Sequence, residues 1–130
     1  MQAQTFLRRV LALDAVASGA LGVLMLIAAE PLSSLLGLPS TLLAGAGVAL
    51  LPWAAWVGWL ASRSTPLRLQ VWLVIGLNAM WVIESALLLI GDWVQPTTLG
   101  VVFVIAQAAA VGVFAELQYF GIRRTTRIAA

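Results

Sequence analysis

Four stretches of the chain are apolar almost without interruption, and short polar segments separate them. They cover residues 10–29, 41–62, 69–90 and 98–120. Each is about 20 residues long, the length a helix needs to cross a hydrocarbon core about 30 Å thick. Helices of soluble domains are usually shorter. The separators carry turn chemistry. Glu30-Pro31 closes the first stretch. Gly37-Leu38-Pro39-Ser40 opens the second, with Ser40 or Thr41 as the expected N-cap. Residues 62–66 divide the second from the third, and Gly91-Asp92 with Gln95-Pro96-Thr97 divides the third from the fourth. Residues 31–38 are expected to lie along the membrane interface as one or two helical turns. Arg8 and Arg9 precede the first stretch as the basic end of a signal peptide would. The apolar run is too long for that, and no small-x-small site leads into a polar mature domain, so the reading is a retained helix.

This pattern predicts an all-α fold, an integral membrane four-transmembrane-helix bundle forming one membrane domain over residues 1–130. Composition points the same way. Hydrophobic residues make up 62% of the chain and charged residues 9%, against about 25% charged in a typical soluble domain. A mean hydropathy of +1.04 leaves too little polar surface to cover a soluble core.

Charge orients the bundle. All seven basic residues are arginines. Arg8 and Arg9 precede the first span, Arg63 and Arg68 lie between the second and third, and Arg123, Arg124 and Arg127 follow the fourth. Every one falls on the same side, while Glu30 and Asp92 mark the other. The positive-inside rule therefore predicts both termini in the cytoplasm of a multi-pass protein of the bacterial inner (plasma) membrane. The same clustering reads the basic pI of about 10.5 as a topology signal, with no nucleic acid as partner. Trp59, Trp72 and Tyr119 are expected at the basic interface and Trp93 at the opposite one. Trp53, Trp56 and Trp59, three residues apart, read as packing or lipid-facing surface.

The chain has no Cys and no His. That excludes disulfides, thiol nucleophiles, Ser-His and Cys-His catalysis, and the usual zinc and haem ligand sets. The expectation is no enzyme, no catalytic residue, no metal and no cofactor. Chemistry then rests on the polar residues inside the spans. Asp14 and Glu116 share a depth near the basic end. Arg9, Arg63 and Arg123 are within snorkelling reach, so an ion-paired latch is expected there. Glu84, in the far third of the third span, has no basic residue on its side, and Ser85 and Trp81 are its neighbours. Ser18, Asn78 and Gln107 form a polar layer near mid-membrane. Together Glu84, Ser85, Asn78, Gln107, Ser18 and Trp81 are the candidate substrate- or partner-binding residues, because polar groups in a membrane face an interior, a cavity or a partner. Pro52 frees the Val48 carbonyl, which Asn78 or Gln107 is placed to satisfy.

Small residues spaced by four mark close helix approaches: Ala15 and Gly19, Ser18 and Gly22, Ala54 and Gly58, Ala108 and Gly112. They fit a tight bundle or a dimer. A faint internal echo also runs through the chain. Leu13-Asp14-Ala15 parallels Leu77-Asn78-Ala79 (78 − 14 = 64), and Glu30-Pro31 parallels Gln95-Pro96 (95 − 30 = 65).

An acidic residue in the first of four helices is similar to small multidrug resistance transporters, which exchange protons for cationic drugs; the Gly-rich third-helix pattern of that family is missing. Residues 96–124, with Pro96-Thr97-Thr98-Leu99-Gly100 and Ala115-Glu116-Leu117-Gln118-Tyr119-Phe120-Gly121-Ile122-Arg123-Arg124, resemble uncharacterised small four-helix bacterial inner-membrane proteins. That resemblance implies a fold and no activity. The function expected is a non-enzymatic bundle that binds a membrane partner or lipid, in the manner of an accessory subunit, as a homo-oligomer or within a larger complex. The alternative is a small oligomeric transporter or channel using intramembrane carboxylates.

Overall fold

The structure, a computed structural model, describes the backbone of residues 2–129 and the side chains as far as residue 125. Arg127 thus lies outside the described side chains. Five helices follow one another: α1 (Gln2–Ile27), α2 (Ala29–Leu36), α3 (Ser40–Ser62), α4 (Arg68–Ile90) and α5 (Thr98–Ala129). Four of them, α1, α3, α4 and α5, are long and apolar enough to cross a membrane. Their outer faces carry Leu13, Val16, Ile27, Leu69, Ile83 and Ile90, all more than half exposed. Apolar side chains on the outside as well as the inside are what a helix bathed in lipid presents.

The helix bounds differ from the apolar stretches for local reasons. α1 stops at Ile27 and α2 restarts at Ala29, ahead of Glu30-Pro31. Pro31 thereby falls in the first turn of α2, where its missing N–H has no intrahelical partner to lose. The N-cap of α3 is Pro39, with no side-chain cap, and Ser40 is already the first helical residue; neither Ser40 nor Thr41 caps it. α5 runs well past residue 120, because Ile122 and Thr125 continue its buried stripe. Pro52 is exposed and α3 passes through it unbroken.

The long helices pack in the order α3–α1–α5–α4, and α3 only grazes α4. The α1–α3 seam is the tightest. Ala15 faces Gly58, Gly19 faces Ala54, and Gly22 meets Gly47, where a methyl group on Gly47 would lie 2.7 Å from the Gly22 carbonyl oxygen. Two of the four small-residue pairs, with Gly22 of a third, therefore build one seam within the chain. The fourth places Gly112 against Val82 of α4. At the arginine-bearing end, Leu7, Leu11, Val57, Leu60, Val71, Val74 and Ile122 form a closed apolar plug. At the opposite end a second cluster includes Met25, Leu36, Leu38, Leu43 and Val104.

α2 ties that second end together. Its last carbonyls receive Thr97, whose N–H donates to Leu36 O (2.9 Å) and whose hydroxyl donates to Leu35 O (2.9 Å). The same hydroxyl caps α5 by accepting the Gly100 N–H (3.1 Å). Gly37 ends α2 in the left-handed region at φ 70°, with Gln95 O and Thr97 N too close to admit a side chain.

Candidate functional site

The interior between the two apolar clusters holds two hydrogen-bonded polar groups. The first is centred on Asp14, which is 1% exposed. Ser18 Oγ donates to its Oδ1 (3.0 Å), while Asn78 Nδ2 (2.8 Å) and Gln118 Nε2 (2.7 Å) both donate to its Oδ2. Asn78 Nδ2 also donates to Gln118 Oε1 (3.0 Å). This group joins α1, α4 and α5. It spans the diagonal of the bundle, since the α1 and α4 backbones do not themselves touch. The two residues of the internal echo, Asp14 and Asn78, are thus bonded to each other.

The second group joins α4 to α5. Trp81 Nε1 donates to Gln107 Oε1 (2.6 Å), and Gln107 Nε2 donates to Ser85 Oγ (3.0 Å) and to Val104 O (2.8 Å). Ser85 Oγ donates back to Trp81 O (2.8 Å). Backbone atoms close this circuit, so it holds α4 against α5 without involving α1 or α3.

Where α3 and α4 part, a recess enters the bundle. Its inner compartment, about 240 Å³, is walled by Ser18, Trp53, Asn78, Trp81, Glu84 and Phe114 among others. The outer compartment, about 450 Å³, reaches Leu38, Leu43, Ser85, Leu88 and Phe103. Leu21, Trp81, Glu84 and Gln107 line both, so the bonded Trp81–Gln107 pair marks the junction. The outer compartment lies toward the end bearing Glu30 and Asp92, lined there by Thr41, Leu42 and Leu88. Toward the arginine end the α3–α4 gap closes, where Trp56 Nε1 donates to Gln70 Oε1 (2.8 Å) above the apolar plug.

Glu84, Ser85, Asn78, Gln107, Ser18 and Trp81 all line this recess. Glu84 is exposed at the junction, and its carboxylate has no hydrogen-bond or ion-pair partner among the described residues. Trp53 and Phe114 complete the aromatic wall; nothing in their spacing distinguished them from ordinary packing. Gln118, four residues after Phe114 and eleven after Gln107, shares their face of α5.

The ion-paired latch is not formed. Asp14 is met by a hydroxyl and two amides. Glu116 is exposed on α5, since two residues turn a helix by about 200° and Gln118 takes the inward face. Among the described residues the arginines that have partners meet carbonyls, a hydroxyl and ring faces. Arg8 Nε donates to Ala61 O (3.1 Å), Arg68 Nη1 to Ile122 O (3.4 Å) and Arg123 Nη1 to the Tyr119 hydroxyl (3.0 Å). Arg63 lies over Trp59 and Arg124 over Phe6. Arg9 is exposed on α1. Nor do Asn78 and Gln107 serve the Val48 carbonyl, because their N–H groups are committed elsewhere.

Comparison with known protein families, with curated proteins and with solved structures finds no match to this chain. The functional reading therefore rests on the site alone.

Proposed function

We propose that the chain is a non-enzymatic membrane bundle that takes an apolar or amphiphilic ligand from the bilayer into the recess between α3 and α4. The observation that carries this reading is the asymmetry of the bundle. α1 packs on α5, while its counterpart contact between α4 and α3 is almost absent, and the gap opens onto two connected compartments walled mainly by apolar and aromatic side chains. A pre-formed, largely apolar cavity with a few convergent polar groups is the usual shape of a ligand site. The bundle would sit in the bacterial inner membrane with both termini in the cytoplasm, as the one-sided arginines favour.

The alternative is a small oligomeric transporter or channel, for which the unpaired Glu84 speaks. The apolar plug weighs against a path through one chain, since Leu7, Leu11, Val57, Leu60, Val71 and Val74 leave no polar route from the recess to the arginine end. Native mass spectrometry of the protein, extracted from its own membranes in mild detergent, separates the readings. The expected result is a bound small ligand that is lost in Ala110→Trp, a substitution that fills the inner compartment. Stoichiometric recovery with a larger protein and no ligand would make it an accessory subunit bound through its outer faces, and the recess reading would fall.

A further inference from the structure

The recess has a chemical polarity that identifies the head group it accepts. Among the side chains of α1, α4 and α5 that line the recess, every N–H and O–H hydrogen is already committed inside the protein. The Ser18 hydroxyl donates to Asp14. Asn78 uses both amide hydrogens, on Asp14 and Gln118. Trp81 donates to Gln107, Gln107 uses both of its own, and Ser85 donates to a carbonyl. Only acceptors remain. Asn78 is 4% exposed and lines the inner compartment. Its Oδ1 accepts nothing, and it is not among the side-chain atoms sealed away without a partner; among the described residues that is Gln4 Oε1 alone. The orientation of the Asn78 amide is fixed by its neighbours, since both Asp14 Oδ2 and Gln118 Oε1 require a donor. Asn78 Oδ1 therefore faces the recess as an open acceptor. Glu84 supplies a second, charged one at the junction. Uncommitted donors lie across the gap on α3, at Trp53 and Thr41.

A buried acceptor without a donor is unfavourable, and a carboxylate in apolar surroundings favours a cation beside it. Glu84 and Asn78 are six residues apart, about 9 Å along α4. Both side chains lean toward the α4 N-terminus, Glu84 being the longer by one methylene, and both line the inner compartment. A compact ammonium bonded to the Glu84 carboxylate meets Asn78 Oδ1 through one water. Trp53, Trp81 and Phe114 supply apolar and cation–π contact around it.

We propose that the recess binds a lipophilic primary amine, its ammonium between Glu84 and Asn78 and its apolar body along the two compartments. This rests on the recess being a ligand site. N–H donors are required because Asn78 Oδ1 accepts a hydrogen bond; a quaternary ammonium satisfies the charge and leaves that acceptor open. An anionic head group meets the Glu84 carboxylate and Asn78 Oδ1 on the α4 wall, with only the Trp53 and Thr41 donors opposite, and is disfavoured.

The test is equilibrium binding of four probes with one tail, namely dodecylammonium, dodecyltrimethylammonium, dodecanol and dodecanoate, to the full-length protein in nanodiscs. Ala110→Trp defines the background. The expected result is dodecylammonium bound about tenfold more tightly than dodecanol, with the trimethyl compound between them and dodecanoate weakest. In Glu84→Gln the amine should fall to the level of dodecanol while dodecanol is unchanged. Because Glu84 is exposed and bonds to nothing among the described residues, this variant should fold, and the probe series decides the matter on the unmodified protein in any case. Equal binding of amine and alcohol overturns the proposal and leaves the recess as a site for neutral lipid. Equal binding of the primary and quaternary amines overturns the role of Asn78 Oδ1 and with it the primary-amine assignment. No binding above the Ala110→Trp background removes the ligand-site reading itself.

Discussion

Asp14 shows how a carboxylate is accommodated in this bundle without a cation. Its two oxygens accept from Ser18, Asn78 and Gln118, and three helices converge on it. Hydrogen bonds to a charged acceptor contribute about 1.5–3 kcal/mol, whereas neutral side-chain bonds between membrane helices average about 0.6 kcal/mol. The Asp14 group should therefore matter more to stability than the Trp81–Gln107 group, although both join helices. Asp14→Ala is expected to lower the free energy of unfolding in detergent by about 1.5–3 kcal/mol, and Trp81→Phe by less than about 1 kcal/mol. Titration with a denaturing detergent measures both; a larger loss for Trp81→Phe would mean that Asp14 does not hold the three helices. Glu116 gives the contrasting case. It has the same residue type and a similar depth but faces outward, so Glu116→Gln should leave that titration unmoved.

Helix packing is decided where side chains are smallest. α1 and α3 approach until Gly22 and Gly47 touch backbone to backbone, as small-residue seams allow. Two glycines on α3 separate close approach from mere composition. Gly47→Ala places a methyl group against the Gly22 carbonyl and the Leu26 N–H, which forces the helices apart and should destabilise by about 1–3 kcal/mol. Gly45→Ala meets nothing within 4 Å and should be neutral or stabilising by up to about 1 kcal/mol, from helix propensity alone. The pair can be compared in one unfolding series. Equal effects would show that the α1–α3 seam is looser than its geometry indicates. The α2–α5 joint obeys the same rule: Gly100 carries no side chain because the Leu36 carbonyl occupies that space.

At the scale of the molecule, all the described arginines gather at one end and Glu30 and Asp92 at the other. The chain has no Cys, so single cysteines can be introduced without a background. Ser64→Cys, in the α3–α4 turn, should react with a membrane-impermeant thiol reagent only after the membrane is opened. Asp92→Cys, in the α4–α5 turn, should react in intact cells. The reverse pattern would invert the orientation and place the outer compartment of the recess toward the cytoplasm. In the proposed ligand reading access depends on the α3–α4 gap, which is why a bulky residue at position 110, in the lining of the inner compartment, is a test of that reading and the outward Glu116 is not.

Length and hydropathy alone determined the four membrane-length helices, because about 20 uninterrupted apolar residues have few other soluble or folded uses. Arginine placement determined the two ends, and the spacing of Ala and Gly marked most of the α1–α3 seam. The candidate residues were legible as a set, since Ser18, Asn78, Trp81, Glu84, Ser85 and Gln107 are polar or amphipathic where the surroundings are apolar. Their partners were not. Which way a residue faces depends on the rotation of its helix about its own axis, and packing sets that rotation. A turn of about 200° sends Gln118 to Asp14 and Glu116 outward, and nothing in the local sequence distinguishes the two. The recess depends on an absence, the α4 face that α3 does not cover. Only the tertiary arrangement decides that, because the seam that draws α3 onto α1 through Gly22 and Gly47 also draws it away from α4.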